Sequence, residues 1–362
     1  MESFLILEDG TVFKGDSFGS RRAVFGESVF NTGMTGYQES LTDPSYRGQI
    51  LTMSYPMIGN YGVNRFDNQS SGVHVRGFIV REMCERPNHR LNEETIDGYL
   101  KRHKVPGICG IDTRALITKI RKYGTMRAAI TTSTNHEEII NKLCHMDFPS
   151  VNNLVAEVTC KEVIRHKGGS KKFVVLLDCG MKLNILKELI KRFSVIQVPY
   201  DFPPEEIRKF KPDGLLISNG PGDPAHPEIQ SKTVRAIQEL INEIPVMGIC
   251  LGHQLLGLAM GAKTFKLKFG HRGANQPVGM NGRVFITSQN HGYAVDAKSL
   301  EKTELSLTLI NQNDHTTEGM KHEDLPAFSV QFHPEANPGP RDTSHIFDEF
   351  NGMMEGRNAS QG

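Results

Sequence analysis

Short apolar runs broken by Gly, Pro, Asn and Asp dominate the first part of the chain. Residues 4–7, 24–31, 50–55 and 73–80 combine β-branched and aromatic side chains with turn formers at their ends, and they read as strands. Helical spacing appears at 95–103 and 112–123. The second of these opens on Asp112 as an N-cap, places Leu116, Ile117 and Ile120 on one face and closes at Gly124. This pattern predicts an N-terminal mixed β/α domain over residues 1–151. Periodicity is lost over 152–172, which ends in Arg165-His166-Lys167-Gly168-Gly169-Ser170-Lys171-Lys172, a composition suited to a flexible linker. From 173 the pattern changes. Apolar runs at 173–177, 195–200, 214–218 and 245–249 alternate with helical stretches at 182–192, 204–210, 228–243 and 251–260. That alternation implies βαβ units, so a second α/β domain over 173–362 is expected to hold an open, mostly parallel sheet flanked by helices. Strand-like runs return at 265–268, 284–287 and 327–332 before a last helix at 343–353. In such sheets ligands bind beyond the carboxyl ends of the strands, so chemistry is sought there.

Composition narrows the class. The 362 residues carry 42 Lys and Arg against 41 Asp and Glu, with 38% hydrophobic and 23% charged residues. Two domains with real cores are expected, and no basic stripe marks a nucleic-acid partner. The start, Met1-Glu2-Ser3-Phe4-Leu5-Ile6-Leu7-Glu8-Asp9-Gly10, lacks a basic leader segment. No apolar run approaches the ~18 residues of a membrane span, so a cytoplasmic protein with no membrane contact is expected. Cys84, Cys109, Cys144, Cys160, Cys179 and Cys250 form no C-x-x-C pair and read as reduced thiols, which makes the Asn68-Gln69-Ser70 and Asn358-Ala359-Ser360 sequons incidental. The histidines form neither an H-x-x-x-H face nor a Cys/His cluster, so no metal is expected.

The sequence Gly248-Ile249-Cys250-Leu251-Gly252 closes an apolar strand and opens a helix. Flanking glycines permit a sharp strand-to-helix turn that holds the central side chain out at the sheet edge, and the helix N-terminus favours a thiolate. A lone Cys is otherwise a common core residue. Phe332-His333-Pro334-Glu335 supplies a partner: side chains alternate along an extended segment, so His333 and Glu335 can point the same way, the carboxylate fixing the imidazole tautomer. A Cys-His-Glu triad is therefore expected. The loop Ser218-Asn219-Gly220-Pro221-Gly222-Asp223-Pro224 follows another strand and suits an oxyanion hole or substrate cradle. Gln289-Asn290-His291-Gly292-Tyr293 offers amide, imidazole and phenol groups to a polar substrate. Cys179, in Leu177-Asp178-Cys179-Gly180, is the rival nucleophile, but it lacks a glycine two positions earlier and reads as packing.

Taken together with His253-Gln254, these segments resemble the class I, triad-type glutamine amidotransferases. The N-terminal half extends the likeness: Leu7-Glu8-Asp9-Gly10-Thr11, Asn31-Thr32-Gly33-Met34-Thr35-Gly36-Tyr37-Gln38-Glu39, Leu41-Thr42-Asp43-Pro44-Ser45-Tyr46, Tyr55-Pro56-Met57-Ile58-Gly59-Asn60 and Gly110-Ile111-Asp112-Thr113-Arg114 resemble the small subunit of carbamoyl phosphate synthases. The resemblance implies Cys250 as nucleophile, His333 as base and Glu335 as its orienter. Glutamine would be held by Ser45, Gly220, Gly222, Leu251, Gln254, Asn290, Gly292 and Tyr293, with a Tyr standing where Phe is common in the family. Ammonia would pass through a tunnel to a large subunit that binds ATP, Mg and bicarbonate, in a heterodimer open to higher assembly and serving pyrimidine or arginine synthesis. The N-terminal domain would contact that subunit and contribute to the glutamine site. This chain has no G-x-x-x-x-G-K-[ST] phosphate loop, so no cofactor is expected in it. Supply of ammonia to another acceptor, as in anthranilate or guanylate synthesis, leaves the first 150 residues without a role. A catalytically inactive binding subunit would have no need of Cys250, His333 and Glu335.

Overall fold

The computed structural model describes residues 1–280 and 282–360, and the side chains of Met280, Arg357 and the Asn358-Ala359-Ser360 sequon lie outside the described residues. The chain divides into two compact units, Met1–Val151 and a second from Asn152 onward.

Nine strands run through the first unit: β1 (Glu2–Leu7), β2 (Val12–Gly19), β3 (Val24–Asn31), β4 (Gln49–Met53), β5 (Met57–Ile58), β6 (Gly77–Ile79), β7 (Glu82–Met83), β8 (Pro106–Cys109) and β9 (Met126–Thr131). Seven of them close into a barrel in the order β1-β2-β8-β6-β4-β3-β9, while β5 and β7 pair separately. Phe18, Val29, Leu51 and Phe78 share its core. Phe4 and Ile6 pack instead against Ala129 and Leu143, the latter on the helix His136–His145, which explains why β1 buries both faces. The helix Thr113–Tyr123 is capped by Asp112, whose carboxylate accepts from the Ala115 N–H at 2.9 Å. Strand β2 escapes the hydrophobic pattern because Lys14 and Asp16 face outward and barrel closure, not local composition, extends it. The expected run 73–80 contracts to β6, since only Gly77–Ile79 finds ladder partners.

The second unit carries β10 (Ile164–His166), β11 (Phe173–Asp178), β12 (Ser194–Pro199), β13 (Gly214–Ile217), β14 (Val246–Ile249), β15 (Thr264–Met280), β16 (Arg283–Val295), β17 (Leu305–Asn311), β18 (Thr317–His322) and β19 (Ala327–Val330). They form one sheet in the order β10-β12-β11-β13-β14-β19-β18-β17-β15-β16. The run from β12 to β19 is parallel, and antiparallel strands extend it at both ends. Two apolar clusters cover its faces, one with Leu177, Ile217 and Leu255, the other with Leu176, Leu216 and Phe347.

The linker expected over 152–172 is a correction. Val155 joins the core, the Thr159 hydroxyl donates to the Asp178 carbonyl at 2.6 Å, and β10 pairs antiparallel with β12. An edge strand facing solvent needs few apolar residues, so its polarity imitates a flexible segment. The helix expected over 228–243 is divided by a π turn at Gln230–Val234. The runs at 265–268 and 284–287 are parts of one long hairpin, β15 with β16, broken by register shifts at 266/271 and 273/276. Among the described residues no helix is long and apolar enough to cross a membrane.

Candidate active site

Strands β13, β14 and β19 are parallel neighbours, so the segments that follow them emerge side by side at one edge of the sheet. Cys250 joins β14 to the helix Leu251–Ala259 with φ 56° and ψ −102°, a left-handed turn that a side-chain-bearing residue rarely adopts. The glycines on either side are required by contact. A Cβ on Gly248 would sit 2.4 Å from the Gly252 carbonyl oxygen, and one on Gly252 would sit 2.2 Å from that of Ile217. The Cys250 N–H donates to the Val330 carbonyl at 2.9 Å, tying the turn to β19. Its thiol donates to the Asn290 carbonyl on β16 at 3.6 Å. The next amide, that of Leu251, opens the helix and has no acceptor within it.

His333 lies three residues beyond β19. Its N–H donates to the Ser288 carbonyl at 2.9 Å, forming a bridge to β16. Ser288 and Asn290 are two residues apart on one strand, a spacing of about 7 Å, so Cys250 and His333 are fastened to the same short stretch of β16. The imidazole Nδ1 stands 2.7 Å from Glu335 Oε1, and both side chains are buried. Burial would raise the Glu335 carboxyl, but the adjacent charge of Lys182, with His333, holds it down to about 2. An ionised carboxylate only accepts hydrogen bonds, so Nδ1 carries the proton and Nε2 is left as the basic nitrogen. That Nε2 is buried and has no hydrogen-bond partner among the described residues.

Residue types alone did not reveal what supports this pair. Lys182 Nζ is 3.0 Å from Glu335 Oε1 and donates to the Ala336 carbonyl at 2.6 Å. The Lys182 N–H donates to Asn219 Oδ1 at 3.0 Å, and the Asn184 amide donates to the Glu335 carbonyl. Lysine is ordinarily a solvated residue, and only its place just past the end of β11, at the same sheet edge, could have singled it out.

The remaining candidates divide by unit. Gly220 and Gly222 lie on the loop after β13. Gly220 packs so tightly that a Cβ would be 2.1 Å from the Cys179 carbonyl, and Gly222 has φ 91°. Gln254, on the elbow helix, donates to the Tyr293 carbonyl at 2.8 Å and to Gln331 Oε1 at 3.0 Å, joining that helix to β16, which carries Asn290, Gly292 and Tyr293. Ser45 belongs to the first unit, on the turn Pro44–Tyr46, where its N–H donates to Asp43 at 2.9 Å. Cys179 is enclosed, and burial, with Asp178 and Cys160 nearby, pushes its thiol well above the ordinary range, which suits packing.

His271, His291 and Glu318 bring possible metal-ligand atoms within 4.8 Å of one another, although no sequence spacing signalled them. Their hydrogen bonds define a different role. His271 Nε2 pairs with Asp314 at 2.8 Å, and although burial opposes the charge, Asp314 and Glu318 raise the imidazole to about 9. His291 uses Nδ1 on the Tyr293 carbonyl at 2.8 Å and Nε2 on Gln289 at 3.0 Å. These bonds tie His271 and His291 to their neighbours and brace the β16 segment that faces Cys250.

The strained cysteine between two glycines at a strand-to-helix turn stands in a unit that matches the family model of the class I glutamine amidotransferases over residues 175–353. The model for the carbamoyl-phosphate synthase small chain, CPSase domain, matches residues 5–130. The chain is 53% identical over 358 residues to the carbamoyl phosphate synthase small chain of Archaeoglobus fulgidus, covering 98% of this chain and 99% of that one. It is 51% identical over 361 residues to the same protein of Methanopyrus kandleri, covering 98% and 99%. To the pyrimidine-specific small chain of Bacillus subtilis it is 49% identical over 360 residues, covering 98% and 96%. This chain belongs to the carbamoyl phosphate synthase small chain family and is a glutamine amidotransferase enzyme.

Proposed function

We propose that Cys250, His333 and Glu335 hydrolyse L-glutamine to glutamate and ammonia, and that the ammonia is channelled to a large synthetase subunit making carbamoyl phosphate. His333 Nε2 takes the proton of the Cys250 thiol, the thiolate so formed attacks the side-chain amide carbon, and the N–H groups of Leu251 and of the loop near Gly222 take the oxyanion. The imidazolium of His333 protonates the departing ammonia. A γ-glutamyl thioester remains on Cys250. His333 Nε2 then takes a proton from water, the hydroxide adds to the thioester carbonyl, and glutamate leaves as the thiolate returns. Glu335, ionised and held by Lys182, stabilises each imidazolium that forms. Gly220, Gly222, Leu251, Gln254, Asn290, Gly292 and Tyr293 bind the substrate.

The observation that carries this reading is the buried, unpartnered Nε2 of a histidine whose Nδ1 is committed to Glu335, since a buried polar atom left without a partner costs stability unless a ligand or reacting group uses it. ATP, Mg and bicarbonate belong to the large subunit of a cytoplasmic heterodimer, and the product serves pyrimidine or arginine synthesis. A tunnel has a physical reason, because ammonia released to water near neutral pH is mostly protonated and no longer a nucleophile. Cys250→Ser is expected to lower glutamine-dependent carbamoyl phosphate synthesis by about 10⁴-fold or more while leaving ammonia-dependent synthesis by the complex unchanged. Equal loss of both activities, or survival of both, would overturn the assignment.

A further inference from the structure

The barrel has a strand-end cavity of its own. Strands β4, β6 and β8 are parallel neighbours, so the chain leaves all three at one rim. There Ser54 and Pro56, Arg81, and the helix Thr113–Tyr123 enclose about 450 Å³ with Arg114 and Arg121 in the lining. Arg114 and Arg121 are seven residues apart, two turns along one helix face. Arg81 is held by a bond from its guanidinium to the Ile111 carbonyl at 3.1 Å. Neither Arg114 nor Arg121 has an ion-pair or hydrogen-bond partner for its guanidinium among the described residues, whereas Arg65, Arg102 and Arg127 of the same unit pair with Glu93, Glu94 and Glu8. The cavity's one carboxylate, Asp112, is engaged in capping the helix. Three arginines therefore line a concavity that supplies no free counter-charge.

We propose that this cavity docks a carboxylate-bearing segment of the large synthetase subunit, an inference that rests on that partner being the one named above. Forked guanidiniums suit carboxylates, which they bind through paired hydrogen bonds. The rim favours a protein over a free anion. Tyr55 and Met57 flank Pro56 and are 38% and 43% exposed, and pairing of Met57 with Glu82 sets them beside Arg81. Tyr, Met and Arg are the residues enriched at protein interfaces, and a small ion would gain nothing from the apolar pair.

The test uses the full chain and the purified large subunit, with affinity measured by titration calorimetry across a range of salt. Arg114→Glu with Arg121→Glu is expected to weaken association by at least about 100-fold and to flatten its salt dependence. Arg114→Lys with Arg121→Lys keeps the charge but loses the fork and should weaken it by about 10-fold. Glutamine hydrolysis by the isolated chain and its thermal midpoint should match the wild type in both variants. Unchanged affinity in the charge-reversed, folded variant overturns the docking proposal and leaves the partner reading intact. Failure of the wild-type chain to bind the large subunit at all overturns both. Saturable binding of inorganic phosphate that does not compete with the large subunit, or self-association of the chain that the reversal abolishes, reassigns the cavity and overturns the proposal.

Discussion

The two units solve the same geometric problem with different edges. Each sets parallel strands side by side so that their carboxyl ends open on one rim, β4, β6 and β8 in the barrel and β13, β14 and β19 in the open sheet. At the barrel rim stand exposed arginines. At the sheet rim stand Cys250, His333 and Glu335, each nearly inaccessible to solvent. Strand ends provide a place for chemistry, but burial decides its kind: charges left in water can recognise a partner, while ionisable groups withdrawn from water interact strongly with one another.

The comparison can be broken where burial is most extreme. Lys182→Met removes the buried cation beside Glu335 and leaves the carboxylate with His333 alone as its partner, and we expect about 3–5 kcal/mol of destabilisation by urea titration, with loss of glutamine hydrolysis in the molecules that remain folded. A small effect would mean that the buried charges are not coupled. Next in size is a pH effect. His271 rises from its ordinary 6.5 to about 9, so the stability it contributes is fully present below pH 6.5 and lost as pH climbs through 9, a fall of at most about 3 kcal/mol. His271→Asn should flatten that slope in urea titrations at the two pH values, and an unchanged slope would remove its ion pairs from the account.

Two glycines sharpen the contrast between the units. Gly248→Ala forces a Cβ to 2.4 Å from backbone in the elbow, and hydrolysis should fall by about 10²-fold in steady-state assays. Gly15→Ala forces one to 2.3 Å from the Cys109 carbonyl in the barrel, and the expected outcome is about 1–3 kcal/mol of lost stability with a smaller effect on turnover. The reverse pattern would place the chemistry in the wrong unit. The smallest effect belongs to Cys179→Ala, which should leave hydrolysis within about twofold and cost about 1 kcal/mol, because a buried neutral thiol acts as a small hydrophobe.

What could be read along the chain and what could not follow from the range of the interactions involved. The alternation of strands and helices from residue 173, the glycine spacing around Cys250 and the alternate placement of His333 and Glu335 are short-range patterns, written within a few residues of one another. Barrel closure pairs β1 with β9 across more than a hundred residues, and the polar strand β10 is recognisable only beside β12. Lys182 reads as a surface cation until the fold encloses it with Glu335, and that Arg114 and Arg121 line one cavity without ion-pair partners among the described residues is equally hidden in the sequence. Local sequence determined which elements form and which residue types sit at their ends. The tertiary structure alone decided which of those ends meet and which charges leave water, because pairing and desolvation depend on neighbours that chain position does not specify.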